Sequence, residues 1–168
     1  MDADLQQAVD ECFGQGTDRI EIVEQRARRL FAGHSIIVWE GDAQTFQFSY
    51  VSATAEDLLG YPASRWTQEP TFWADVVITP DDRDDAIAYC ALATAKRADH
   101  VFEYRARCAD GAMLWLRDYV RVVVGPRGIA RTLRGIMFDV SPEKRATNTF
   151  EERATYRVPS PAALEVMT

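Results

Sequence analysis

The stretch that most limits what this chain can become is residues 101–139. It opens with strict alternation: Phe102, Tyr104, Ala106 and Cys108 fall on one side, Glu103, Arg105 and Arg107 on the other. A period of two is the repeat of an extended strand with one buried and one wetted face. Two turn signals divide the stretch. Asp110-Gly111 suits the positive φ of a tight hairpin, and Gly125-Pro126-Arg127-Gly128 marks a second, looser reversal. The pattern predicts a three-stranded antiparallel meander whose inner face must close over something.

The preceding residues supply the cover. Residues 36–40 read as one strand, Gly41-Asp42-Ala43-Gln44 as a turn, and residues 46–51 as a second strand alternating aromatic with small or polar side chains. A short helix is expected at 54–59, opened by a Thr54-x-x-Asp57 capping pattern and stopped by Gly60 and Pro62. Residues 61–78 read as irregular, with short helical turns carrying Trp66, Phe72 and Trp73. Thr79-Pro80-Asp81-Asp82 is a helix start, with proline in the first turn and acids at the positive end. The helix it opens, about 82–97, shows an apolar stripe through Ala86, Ile87, Cys90 and Ala91. Ser141-Pro142-Glu143 then predicts a helix leaving the meander at once. This order gives an α+β fold: a five-stranded antiparallel sheet with short helices and one longer helix on one face.

Ahead of it, helices are expected at 5–13 and 17–33, separated by Gly14-Gln15-Gly16. In the second, Ile20, Val23, Ala27, Leu30 and Phe31 recur at helical spacing, Thr17 or Asp18 can cap it, and Gly33 can end it. That stripe has to be buried, either on the domain's own sheet or in a dimer contact. The chain thus divides into an N-terminal helical extension (1–33), a globular domain (34–140), and an outgoing helix with a tail (141–168). From about Thr155 the tail loses periodicity and is expected to be mobile.

Composition narrows the function. A length of 168 residues suits one domain with short appendages, and 47% apolar with 27% charged residues is a globular balance. The net charge of −7 argues against a nucleic-acid or anionic-membrane surface, and no apolar run approaches the ~20 residues of a spanning helix. Cys12, Cys90 and Cys108 lack C-x-x-C spacing and read as reduced, packed thiols. With an acidic start, Met1-Asp2-Ala3-Asp4, the expected location is the cytoplasm. The glycines at 33, 41 and 60 are isolated, so there is no phosphate loop, and neither a nucleophile–base pair nor a metal-ligand cluster stands out. An enzyme is not expected.

Several fragments together resemble a known family. Phe48-Ser-Tyr-Val-Ser52 runs into Ala55-Glu-Asp-Leu-Leu-Gly-Tyr61, Phe72-Trp73 precedes Thr79-Pro-Asp-Asp-Arg83, and Glu103-Tyr-Arg105 is followed by Asp110-Gly111 and Trp115. Gly135 leads to Phe138-Asp139-Val140-Ser141, which looks like a closing Asp-Ile-Thr signature. In this order, over about two-thirds of the chain, they resemble a PAS domain of the subgroup used as bacterial sensor modules. The resemblance implies a sheet cupping a small cavity, and sensing or protein interaction rather than catalysis. Ligands across the family include haem, flavins, small acids and lipids, and some members hold none.

The residues weigh against the coloured cofactors. Flavin–cysteinyl photochemistry needs a reactive cysteine before the long helix, and residues 61–80 contain none. Flavin-binding relatives place a ring-reading Gln where this chain has Met137, whose thioether cannot make those bonds. Haem usually takes a His from the long helix, which has none; His34 and His100 flank strands instead. Alternation combined with the family's strand layout puts Ile37, Trp39, Phe46, Phe48, Tyr50, Tyr104, Leu116, Asp118, Val120 and Met137 inward, with Ile87 and Cys90 from the helix. These are the candidate ligand-binding residues, and most would serve equally as plain core. Asp118 discriminates, because a buried carboxylate demands a partner: an internal Arg or Tyr, or a polar or cationic ligand.

On the other side, Trp115 shares parity with Arg105, Arg107, Arg117 and Arg121 and is expected under the N-terminal helix or a partner subunit, while the arginines pair with Glu103 and its neighbours. The reading is a signal-sensing module that binds a small ligand in its core and relays a change through Asp139 and Ser141. The output would be a kinase or regulator in cis or trans, as in two-component signalling. The alternative is a ligand-free dimerisation or docking module, a homodimer through the N-terminal helix and the outer face of the sheet.

Overall fold

A computed structural model describes residues 2–147 and 158–159. Two helices lead, α1 (Asp2–Phe13) and α2 (Ile20–Leu30), followed by β1 (Ile36–Asp42), β2 (Phe48–Val51), α3 (Thr54–Leu59) and α4 (Ala63–Gln68). A single π-helical turn, Trp73–Val77, precedes the long helix α5 (Pro80–Ala95). The meander is β3 (His100–Arg107), β4 (Met113–Val124) and β5 (Ala130–Asp139), and α6 (Ser141–Thr147) leaves it. The five strands form the antiparallel sheet that the sequence pattern predicts, and they lie in the order β2-β1-β5-β4-β3.

The sheet is buried on both faces. Ile37 and Trp39 of β1 enter an inner cluster with the aromatic residues of α3–α5, while Ile36 and Val38 enter an outer cluster with α1 and α2. That double cover explains why β1 reads as a continuous apolar run rather than an alternation. Val9, Cys12 and Phe13 of α1 and Ile20, Val23 and Ala27 of α2 pack on Trp115, Tyr119, Ile136 and Phe138. Ile20, Val23, Ala27 and Phe31 of the expected stripe are therefore spent on the chain's own sheet, whereas Leu30, at the end of α2, faces out and is 41% exposed. Trp115 is 6% exposed beneath this layer. At an apolar burial of roughly 25 cal/mol per Å², covering these side chains is the main force holding the helices down. Polar ties fix their position: Arg121 pairs with Asp10, and the Tyr50 hydroxyl donates to Glu24 at 2.7 Å.

Some local expectations fail for identifiable reasons. Helix α2 starts at Ile20, which puts Arg19 in the cap position with no side-chain cap and leaves Asp18 one residue before it, paired with Arg26 at 2.6 Å. No capping box forms at α3; Thr54 donates instead to the Ile36 carbonyl at 2.6 Å, tying α3 to β1. Among the outward arginines, Arg117 pairs with Glu103 as expected, but Arg105 reaches past the edge of the sheet to Asp82 on α5. Asp82, 1% exposed, also accepts the Arg105 backbone N–H at 2.9 Å. Beside it Ile78 bridges Ala106, and the Thr79 N–H donates to the Arg105 carbonyl at 3.0 Å. Most of the tail expected to be mobile lies outside the described residues. Val158 is described and is buried in the inner cluster.

Candidate functional site

The inner face converges on one carboxylate. Asp118 sits mid-strand on β4, opposite Phe102 of β3 and Met137 of β5, and is 1% exposed. Trp39 Nε1 donates to Asp118 Oδ1 at 3.0 Å, and the Tyr104 hydroxyl donates to Oδ2 at 3.1 Å. Trp73 Nε1 in turn donates to the Tyr104 oxygen at 3.0 Å, extending the chain to the π-helical turn. The carboxylate thus finds its partners inside the protein, with one oxygen for each donor.

Burial nonetheless dominates its chemistry. Removal from water raises the Asp118 pKa to about 7, against the lowering effect of the Trp39 and Tyr104 hydrogen bonds. The Tyr104 hydroxyl is pushed well up by burial and by the neighbouring carboxylate. Burial, reinforced by Asp118, lifts the Cys90 thiol to about 12, which keeps it protonated and inert. Gly135 is a steric requirement of this arrangement. It lies opposite Trp39 on β1, and a Cβ there would stand 2.1 Å from Trp39 Nε1.

Around the carboxylate the aromatics fill the space. Trp39 stacks on Phe48 at 4.7 Å, and Phe48 meets Trp66 at 5.3 Å and Trp73 at 6.4 Å. The cavity left among Trp39, Phe48, Trp73, Cys90, Phe102 and Asp118 is about 10 Å³, room for about one water molecule.

Of the residues expected to face inward, Ile37, Trp39, Phe48, Cys90, Tyr104, Leu116, Val120 and Met137 lie in the inner cluster, Phe46 and Ile87 pack against it, and Asp118 is buried among them through its bonds to Trp39 and Tyr104. Tyr50 does not. Gly41 pairs with Phe48 and Glu40 with Tyr50, so Ser49 is an extra residue in β2. This bulge reverses parity and sends Tyr50 to the outer face, against Glu24. Residues 46–47 also fall outside the strand, with Phe46 at φ 58° in the turn.

Three residues of the site were missed. Phe102 was legible from its alternation with Tyr104. Trp73 and Gly135 carried no positional signal until the π-helical turn and the β1–β5 register placed them. His100 is buried at the start of β3, its Nδ1 3.0 Å from the Ala98 carbonyl, and its pKa is lowered by burial; His34 is exposed. Among the described residues no group of three His, Cys, Asp or Glu is placed to hold a metal ion, and no helix is long and apolar enough to cross a membrane.

The exit from the sheet is tied as closely as its centre. Asp139 accepts the Ser141 N–H at 2.9 Å, and Ser141 Oγ accepts the Trp115 N–H at 2.8 Å. Lys144 of α6 pairs with Glu103 at 2.7 Å and lies 5.3 Å over the Trp115 ring. Asp139 and Ser141, expected to carry a signal, thus stand where β5, β4 and α6 meet.

The comparisons with known proteins agree with this architecture. The N-terminal domain of a diguanylate cyclase with PAS/PAC sensor from Marinobacter aquaeolei is 35% identical, with a TM-score of 0.60 over 64% of this chain and 97% of that one. A sensory box histidine kinase/response regulator from Burkholderia thailandensis (24% identity, 73% and 88% covered, TM-score 0.57) and a PAS domain from Colwellia psychrerythraea (20%, 72% and 98%, 0.57) share the fold. No curated protein sequence matches the chain. The family model of the PAS fold matches residues 48–137, from the first residue of β2 to the Met137 beside Asp118, and the chain belongs to the PAS family.

Proposed function

We propose that this chain is a PAS signalling module that works through its surfaces, with a core that holds no resident organic ligand. The observation that carries this reading is the inner cavity of about 10 Å³, far below the roughly 300 Å³ at which small-ligand pockets begin. The internal partners of Asp118 support it, since the carboxylate needs no ligand to complete its hydrogen bonds. For a core ligand to enter, Trp39, Phe48 or Trp73 would have to vacate the space, at the cost of a hydrogen bond to Asp118 (Trp39), one to Tyr104 (Trp73), or the ring stacking on Trp39 (Phe48). The ligand-free form of the module is thereby favoured over the form that binds a core ligand.

The signal route in this proposal runs from the β4–β5 pair through Asp139 and Ser141 into α6, where the Lys144–Glu103 and Arg117–Glu143 pairs hold the helix to the sheet. The output would be a regulator joined to, or docked on, the end of α6. A nucleotide cyclase as its class is supported by the diguanylate cyclase context of the relative at 35% identity. The three cysteines are free and buried, which supports a reducing, cytoplasmic setting. With the sheet's outer face covered by α1 and α2, a homodimer would use the outward side of α2, where Ile22 and Leu30 are exposed.

Native mass spectrometry and an absorbance spectrum above 300 nm of freshly purified protein test the central claim. The expected result is the apo mass and a colourless protein. A stoichiometric small-molecule adduct that disappears on denaturation would sink it.

A further inference from the structure

Two of the three non-glycine residues with left-handed backbone among the described residues, Phe46 (φ 58°) and Arg97 (φ 55°), line one groove. The groove is about 470 Å³ and runs between the C-terminal end of α5 and the β4–β5 hairpin, with Phe46, Ala91, Ala95, Arg97, Ile129 and Ala130 in its wall. Its volume falls in the range of small-ligand sites, roughly 300–1,000 Å³. Left-handed backbone is strained for side chains with a Cβ, and such strain gathers where a side chain must be aimed. Arg97 shows this directly. It occupies the position after α5 that glycine normally takes, since the Ala98 N–H reaches back to the Ala93 carbonyl, five residues earlier. Arginine there carries its guanidinium across to the Gly128 carbonyl at 2.7 Å while the residue stays exposed, and a guanidinium has five N–H donors in all.

The groove's surface chemistry has two parts. Its floor is made of small alanines with Ile129, which is 60% exposed and so costly to leave in water. Its charge is positive: Arg97 is the charged side chain in the wall, with exposed Lys96 next to it and exposed Arg127 next to Gly128, on a chain whose net charge is −7. Phe46 lines both this groove and the inner cavity that contains Asp118.

We propose that this groove binds a monomeric single-chain anionic amphiphile of the fatty-acid class. The alkyl chain lies along Ala91, Ala95 and Ile129, and the carboxylate is held by Arg97. Binding against Phe46 connects occupancy of the groove to the inner core, giving the module an input outside its filled cavity. The site does not depend on whether the core is empty.

Decanoate, decan-1-ol and decyltrimethylammonium, each below its aggregation limit, are the probes, with native mass spectrometry for stoichiometry and calorimetry for affinity. Decanoate is expected to bind one to one and to raise the melting temperature. Decan-1-ol should bind at least tenfold more weakly, and decyltrimethylammonium not at all. Arg97→Glu and Ile129→Glu, both at exposed positions, should each weaken decanoate at least tenfold with the unliganded melting temperature within a few degrees of the parent. Absence of decanoate binding, equal affinity for the cationic probe, or unchanged affinity in either variant would overturn the site. So would co-sedimentation with phosphatidylglycerol vesicles without binding of free decanoate, which would mark a membrane-contact surface.

Discussion

On the inner face of the sheet a carboxylate is held by residues from β1 and β3, brought together from positions 79 and 14 residues away in the chain. On the outer face, apolar side chains are covered by two helices that precede the sheet and are pinned by a few surface-proximal polar contacts. The inner face is therefore closed by mutual packing of the sheet and its own helices, whereas the outer face is closed by an addition. Residues 1–47 lie outside the family match, which begins at Phe48. The difference teaches how the two faces are built: the outer layer is one contiguous block of chain laid on the sheet, while each inner residue is tied to neighbours from several strands and helices.

The most severe way to break this contrast is to remove the outer layer. A chain beginning at Ser35 should keep its strand signal by circular dichroism but self-associate in light scattering, because Ile36, Val38, Trp115, Tyr119, Ile136 and Phe138 lose their cover. A stable monomer would show that the outer cluster is dispensable.

Next in size is the pH response of the inner face. Asp118 retains its proton up to about pH 7 in the folded protein, whereas its unperturbed value is 3.8. Between these limits the native state holds a proton that the unfolded chain releases, so stability falls as pH rises through the window and levels off above it. Three pH units correspond to about 4 kcal/mol. Urea titrations of the parent and Asp118→Asn at pH 4, 5.5 and 7 should show the parent's advantage shrinking by that order, and a constant difference would refute the assignment. Depressed carboxylates such as Asp42 and Asp75 work the other way at lower pH, which is why the difference between the two proteins is the quantity to read.

A smaller effect comes from Gly135→Ala. The added methyl group displaces the Trp39 indole and so weakens its bond to Asp118, with an expected loss of about 3 kcal/mol from overpacking and a strained hydrogen bond. The accompanying sign is a change in tryptophan fluorescence, whose absence would mean that the backbone moves instead. The smallest is Tyr50→Phe, which removes only the tie to Glu24 and should cost about 1 kcal/mol by thermal melting. A cost comparable to that of an inner-face substitution would erase the distinction between the two faces.

The three-stranded meander and the inner position of Asp118 were legible because alternation is a local signal that the meander keeps over most of its length. The placing of β1 between β2 and β5 is a long-range pairing that alternation does not encode. Tyr50 was misplaced because a one-residue bulge inverts parity without leaving a mark in composition. Trp73 was overlooked because a π-helical turn, rather than a strand or a regular helix, aims its indole at Tyr104. How tightly the cavity closes was beyond the sequence, since it depends on ring stacking between β1, β2, α4 and the π-helical turn, set by tertiary geometry.

The Asp82–Arg105 clamp has one more consequence, for how molecules of this protein meet one another at high concentration. β3 is the end strand of the sheet, and an uncovered end strand is a template for a strand from a neighbouring chain. Here the Arg105 N–H is taken by Asp82, its carbonyl by Thr79, and Ala106 is bridged by Ile78. The C-terminal half of the strand offers no free ladder to an incoming chain. The clamp that orients α5 thereby also closes this half of the β3 edge to a strand from a neighbouring chain.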